Sequence, residues 1–272
     1  MVKAYLAFMD HSITEQLVDD PLAWHTSAIA LAEGGEVSEL AQRIAEGIFP
    51  QSPRLRKWSD GRGDGKRRYR LAFARELARH LPSSNVYLFA TSATEATITQ
   101  NRQHVSHELG IGHMYHEAPG PRRTPLLRVG PFTHRETGAE HYFTLPLNRA
   151  LMVAWIAHFV ARMHRLFHLQ LQQTHATPVS VGWFFYLDKF AGDSPDASPG
   201  ISFFQTLVSG NIANGNIRSG FFAQSDTVDA DLFADNLAGL LNASRRAPSD
   251  FLALTSLFSS GRIQYETSGK AA

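Results

Sequence analysis

Apolar and polar positions along the chain fall into two periods. Residues 2–9 form a compact apolar run with aromatics that meets Asp10, His11 and Ser12, and the run reads as a central strand ending in a polar tip. Residues 24–32 predict a second strand, closed by Gly34 and Gly35. Residues 36–49 then place Val37, Leu40, Ala41, Ile44 and Ile48 at helical spacing before Pro50 and Pro53. A helix over 69–81 and a short strand over 85–91 follow. Further on, 147–175 is the longest helix candidate, 179–187 a buried strand running into Asp188, 201–208 a short helix and 218–223 a further strand. In 230–241, Phe233, Ala234, Leu237, Ala238 and Leu241 make one apolar stripe behind an acidic head, closing at Gly239. A helix over 248–258 and an edge strand over 262–267 finish the chain. Strands alternating with helices predict an α/β fold with a central mixed sheet flanked by helices.

The pattern weakens between 94 and 146, where His, Pro, Gly and Arg accumulate; this stretch reads as a largely helical insertion or cap on a single domain. The longest apolar stretch, 150–161, holds His158 and leads into Arg162, His164 and Arg165, too short and too polar to span a bilayer. The histidines of the long helix read as the edges of a core or of a dimer surface, so a homodimer or a larger assembly is an expectation.

Composition narrows the chemistry. With 272 residues, 43% of them hydrophobic and 19% charged, the chain can bury a substantial core. The absence of cysteine removes disulfides, thiol nucleophiles and thiolate metal sites together. Nothing at the N-terminus resembles a signal peptide, so a cytoplasmic protein is expected. A net charge of +1 supplies no global field toward nucleic acid, and any such binding needs a local patch. One exists: residues 54–68 carry seven basic side chains and a tryptophan. Arg54, Arg56, Lys57, Trp58, Arg62, Lys66 and Arg67 suit phosphate contact combined with base stacking. The competing reading is a solvated loop.

Two metal chemistries are open. His104, His107, His113 and His116, with Glu108 and Glu117, suggest zinc, although their spacing differs from the i, i+4 pair that sets two imidazoles on one helix face. The acidic positions make the stronger pattern. Asp229 and Asp231 suit the positive end of a helix, whereas Asp235 lies a turn beyond the reach of capping and borders the apolar stripe. Asp10 and Asp188 end strands, and carboxylates converging there with one from a covering helix repel unless a cation lies between them. Magnesium or manganese is the matching ion, because hard divalent cations take oxygen ligands and can activate water for phosphodiester cleavage.

These positions resemble the domain of unknown function 3800 family. Phe8-Met9-Asp10-His11-Ser12 is similar to its opening strand and acidic motif, Lys57-Trp58-Ser59 to its central lysine-aromatic segment, and Leu187-Asp188 to its later strand end. Ser225-Asp226 with the run from Asp231 to Gly239 is similar to its closing signature. The resemblance implies a ribonuclease-H-like fold and nuclease activity, with Asp10, Asp188 and Asp235 as metal ligands, Asp226 as a fourth candidate and Lys57 on a phosphate. His11 stands where the family has glutamate, and Leu232 where it has glutamine. The first departure motivates a second expectation, a non-catalytic subunit that binds nucleic acid through the basic patch or serves an assembly.

Overall fold

The N-terminal apolar run becomes β1 (Val2–Ile13), and the main sheet grows from both of its edges. On one side β1 pairs antiparallel with β2 (Trp24–Glu33), from Tyr5 opposite Glu33 to Ile13 opposite His25. β2 continues antiparallel into β3 (Tyr87–Thr94). On the other side β1 pairs parallel with β7 (Ser180–Leu187), from Val2 opposite Ser180 to Met9 opposite Leu187. β8 (Ile217–Ala223) lies beyond β7, and β9 (Ile263–Ser268) lies parallel to β3, giving a six-stranded mixed sheet in the order β8-β7-β1-β2-β3-β9.

In this computed structural model the described residues are 2–13, 23–60, 63–100, 115–118, 126–133, 137–175, 179–187, 199–212, 217–223 and 229–268. The chain divides into two compact units: residues 1–94, 179–188 and 218–272 carry the main sheet, and residues 95–178 and 189–217 form the other.

Three helices cover one face of the main sheet: α1 (Glu36–Ile48), α2 (Gly63–His80) and α6 (Asp229–Arg246). The even positions of β1 and β2, Phe8, Ala28, Ala30 and Ala32, point into this core with Leu40, Ile44, Phe73, Leu77, Phe233, Leu237 and Leu241. Small alanines on the strands let α6 lie close across β1 and β2. Each fully buried Phe or Leu contributes about 1.5–3 kcal/mol of transfer free energy. The odd positions are buried too, among them Tyr5, Met9, Ile29, Phe89, Trp183 and Phe185. Both faces are thus apolar, which is why these strands read as continuous runs rather than alternating ones.

In the second unit α3 (Glu95–Gln100) precedes a three-stranded antiparallel sheet of β4 (Tyr115–Ala118), β5 (Leu126–Thr133) and β6 (Glu140–Pro146). Then α4 (Leu147–Thr174) packs on α5 (Pro199–Ile212). Among the described residues, the stretch expected as a helical insertion carries one short helix and three strands, and its unit also takes in the long helix. The pattern was hidden because the β5–β6 register shifts between Val129 and Phe132, where Gly130 and Pro131 interrupt the alternation. No helix among the described residues is long and apolar enough to cross a membrane.

Two boundaries of the main unit also differ from expectation. α2 begins at Gly63 rather than near Tyr69, so Lys66, Arg67 and Arg68 are helical. α6 does not close at Gly239 but runs on to Arg246. The reason is a close approach: a Cβ added at Gly239 would overlap the indole of Trp58. A helix-interior glycine costs about 1 kcal/mol relative to alanine, and here the space it leaves is filled by a buried ring. Gly239→Ala is expected to lower stability by about 1–3 kcal/mol through overpacking. Trp58→Ala is expected to lower it by about 3–5 kcal/mol. In urea denaturation the double variant should cost clearly less than the sum of the two, since both act on one contact; strict additivity would contradict the seat.

Candidate functional site

The site is built around the segment 53–60, which joins α1 to α2 and is buried at Leu55 and Trp58. Four side chains fix it. Tyr69 on α2 donates from its hydroxyl to the Arg56 carbonyl at 3.0 Å and accepts from the Arg56 amide at 3.1 Å. Burial is the main cause pushing the Tyr69 phenol up to about 12, so it remains a hydroxyl able to make both bonds. Asn236 on α6 donates from Nδ2 to the same Arg56 carbonyl at 2.6 Å. Its neighbour Asp235 accepts the Trp58 amide on Oδ2 at 2.6 Å. Arg70 on α2 donates to the Trp58 carbonyl at 3.2 Å and lays its guanidinium 4.4 Å from the indole centroid, opposite in kind to the bare Gly239 backbone that also meets this ring.

This arrangement changes the reading of several residues. Trp58 is 7% exposed, so its ring is a core side chain and not a platform for nucleic-acid bases. Asp235 is half-buried and has a backbone partner, which meets the requirement for a carboxylate at the edge of an apolar stripe. Arg56 is exposed, with its guanidinium 4.5 Å from the Phe49 ring centroid; Arg54 is exposed, and Lys57 is half-buried. The segment is clamped at both ends of Arg56 and Trp58 and is not a free solvated loop.

β1 supplies the second wall. The described pairing of β1 with β7 stops at Met9, while its pairing with β2 continues through His11, Ser12 and Ile13. Asp10 therefore lies within β1 and not at its end, where it had been expected. By register it stands opposite Ala28, on the face covered by α6, and its Oδ1 accepts the His11 amide at 2.6 Å. His11, half-buried, turns to His25: their ring nitrogens are 3.2 Å apart and the rings stack at a centroid distance of 5.3 Å.

A cavity of about 600 Å³ opens between these elements. Lys66, Arg67 and Arg70 line it from α2, Asp235, Gly239 and Asn242 from α6, and His11 and Ser12 from β1. Asp250 also reaches its wall and pairs with Arg67 at 3.1 Å. Three cations against two carboxylates leave it net basic among these groups. Asn242 is 4% exposed; its Nδ2 donates to Ser12 Oγ at 3.2 Å, while its Oδ1 accepts no hydrogen bond from any described residue.

Of the expected site residues, the structure thus gathers Asp235, Lys66 and Arg67 at one cavity and sets Asp10 on the sheet face below α6. Asp188, Asp226 and Arg62 lie outside the described residues, as do His104, His107, Glu108 and His113; His116 and Glu117 fall in β4. Leu187, the last residue of β7, pairs with Met9, the residue before Asp10. Among the described residues no three His, Asp or Glu side chains gather to hold a metal ion. Arg70, Asn242 and Asp250 were not singled out from the sequence. Helical spacing carries their signal: Lys66 with Arg70, and Asp235 with Gly239 and Asn242, recur along one side of their helices.

Comparison with known families, curated proteins and solved structures finds no match to this chain.

Burial and the neighbouring His25 lower His11 from 6.5 to about 3. The unfolded chain takes up this proton near 6.5 and the folded chain only near 3, so acid favours unfolding. The stabilisation is complete above 6.5 and is lost as pH falls toward 3. His164 in α4, wholly buried and lowered to about 4 mainly by burial, acts in the same direction. His11→Gln is expected to flatten the acid limb of a plot of unfolding midpoint against pH, leaving the share due to His164. An acid limb identical to that of the unmodified chain would contradict the neutral His11 ring.

Proposed function

We propose that the protein is a divalent-metal-dependent nuclease on a ribonuclease-H-like fold, related to the domain of unknown function 3800 family. The observation that carries this reading is the placement of two carboxylates by one packing contact. Asp10 stands on β1 opposite Ala28, on the face that α6 covers, and α6, lying across β1, brings Asp235 to the rim of a basic cavity. The meander of β3, β2 and β1, continued on its other edge by β7 parallel to β1 and then by β8, supports the fold assignment. Crevices at the carboxyl ends of strands are where open α/β sheets bind their ligands.

Asp10 and Asp235 would hold magnesium or manganese together with Asp188 and Asp226. An ionised carboxylate has about four lone-pair positions, so the backbone hydrogen bond each accepts is compatible with a place among metal ligands. The bound ion would supply stabilisation of charge on phosphate oxygens and a more acidic water. The chain's own part is positional. Lys66 and Arg67 attract the phosphodiester, Arg70 holds the wall formed by Trp58, and the Trp58 amide fixes the direction of the Asp235 carboxylate.

A second reading is favoured by His11. In place of the family's glutamate stands a residue turned to His25 and held neutral, which suits a subunit that keeps the cavity and binds nucleic acid without cleaving it. One experiment separates the two. The purified chain is incubated with labelled single- and double-stranded DNA and RNA in magnesium, manganese or chelator. Metal-dependent cleavage is expected, reduced about 100-fold or more in Asp10→Asn and Asp188→Asn with unchanged melting curves. These variants are preferable to Asp235→Asn, which also loosens Trp58. Salt-sensitive binding without cleavage would establish the second reading, and cleavage undiminished in both variants would reject the metal assignment.

A further inference from the structure

We propose that the cavity between α2, α6 and the end of β1 is a binding site for one nucleoside phosphate unit, either free or at the phosphorylated end of a strand. The proposal deepens the nuclease reading by naming the part of a substrate this pocket holds, and it rests on that reading only for the identity of the reaction.

Three independent features of the cavity point to this ligand. Its volume, about 600 Å³, lies in the range of pockets that enclose a small organic ligand, and it suits a nucleotide better than an inorganic ion. Its α2 side presents Lys66, Arg67 and Arg70 within two turns of helix, a point charge and two planar forks of the kind that recognise phosphate. Its α6 and β1 sides present the Asp235 carboxylate and the Ser12 hydroxyl, oxygens that accept from hydroxyl or amine donors.

The last feature separates a nucleotide from phosphate alone. A ligand that meets these acceptors must bring an N–H or O–H. An ionised phosphodiester offers none, whereas sugar hydroxyls and exocyclic amines do. The carboxylates of Asp235 and Asp250 border the same space, so the phosphate belongs on the α2 side and the nucleoside toward Asn242 and Ser12. The rigidity of the wall follows from the clamp on Trp58, since Arg70 is held by the Trp58 carbonyl and ring.

The test measures binding without metal, by calorimetry on the full chain in chelator at low salt. The probes are adenosine 5′-monophosphate, adenosine, inorganic phosphate, and a short single-stranded oligonucleotide with and without a 5′-phosphate. The expected result is saturable binding of the monophosphate or the phosphorylated oligonucleotide, about tenfold or more tighter than phosphate or adenosine alone. Whichever of those two binds tighter identifies the source of the ligand. Lys66→Ala, at a half-exposed helical position, should weaken the phosphorylated probes about tenfold or more. Asn242→Leu should narrow the preference for nucleotide over phosphate; if that variant unfolds, Lys66→Ala decides the case. Equal binding of adenosine and its monophosphate, equal binding of phosphate and the monophosphate, or no change in Lys66→Ala would each overturn the proposal. Binding that persists in a protein with no metal-dependent cleavage would defeat the nuclease reading alone, and cleavage without this binding would defeat the pocket alone.

Discussion

The Asp235 carboxylate accepting the Trp58 amide, with the indole seated on Gly239 one turn further along α6, is the constraint on which the rest of the site depends. It joins positions 177 residues apart in sequence. A hydrogen bond to a charged acceptor contributes about 1.5–3 kcal/mol net, and the buried ring contributes a comparable amount through area removed from water. Asn236 and Tyr69 extend the contact by holding both the amide and the carbonyl of Arg56, so with the amide and carbonyl of Trp58 four backbone polar groups are anchored while Leu55 and Trp58 enter the core. A segment with this many partners orders the start of α2 that follows it, and with it the direction of Lys66, Arg67 and Arg70.

The same contact bears on chemistry. A carboxylate whose lone pair is fixed by a backbone amide has a defined orientation, and a defined orientation is what a ligand or a transition state rewards. On β1 the backbone does similar work: Asp10 accepts the amide of the next residue. His11, stacked on His25, closes this corner without adding charge of its own, because burial disfavours its protonated ring. Basic groups from one helix and an oriented carboxylate from another thus face a shared cavity with the tip of β1, an arrangement suited to an anionic ligand with polar substituents.

Much of the main sheet could be read from the sequence, because strands buried on both faces leave unbroken apolar runs such as those of β1, β2 and β7. What could not be read depended on partners distant in the chain. Gly239 looked like a helix end, since nothing near it in sequence announces that an indole will occupy its missing side chain. The basic run before Tyr69 looked like a loop, since Gly63, Gly65 and four charged residues hide a helix whose apolar face appears only at Tyr69, Phe73 and Leu77. Trp58 looked like an exposed aromatic among cations, and its burial follows from α6. The strands of the second unit were masked by glycine and proline at a register shift. The carboxylates at Asp10 and Asp235 were legible as positions, but the cavity residues Arg70 and Asn242 became visible only with the helices in place.

The central claim is that α6 locks the Trp58 segment in place, and amide hydrogen exchange at Trp58 tests it most directly. The account requires the Trp58 amide to exchange as slowly as core strand amides in the unmodified chain, and to exchange much faster in Asp235→Ala while amides of β2 and β3 keep their protection. A Trp58 amide that exchanges at the rate of exposed loop amides in the unmodified chain, or one whose protection is untouched by Asp235→Ala, would contradict it.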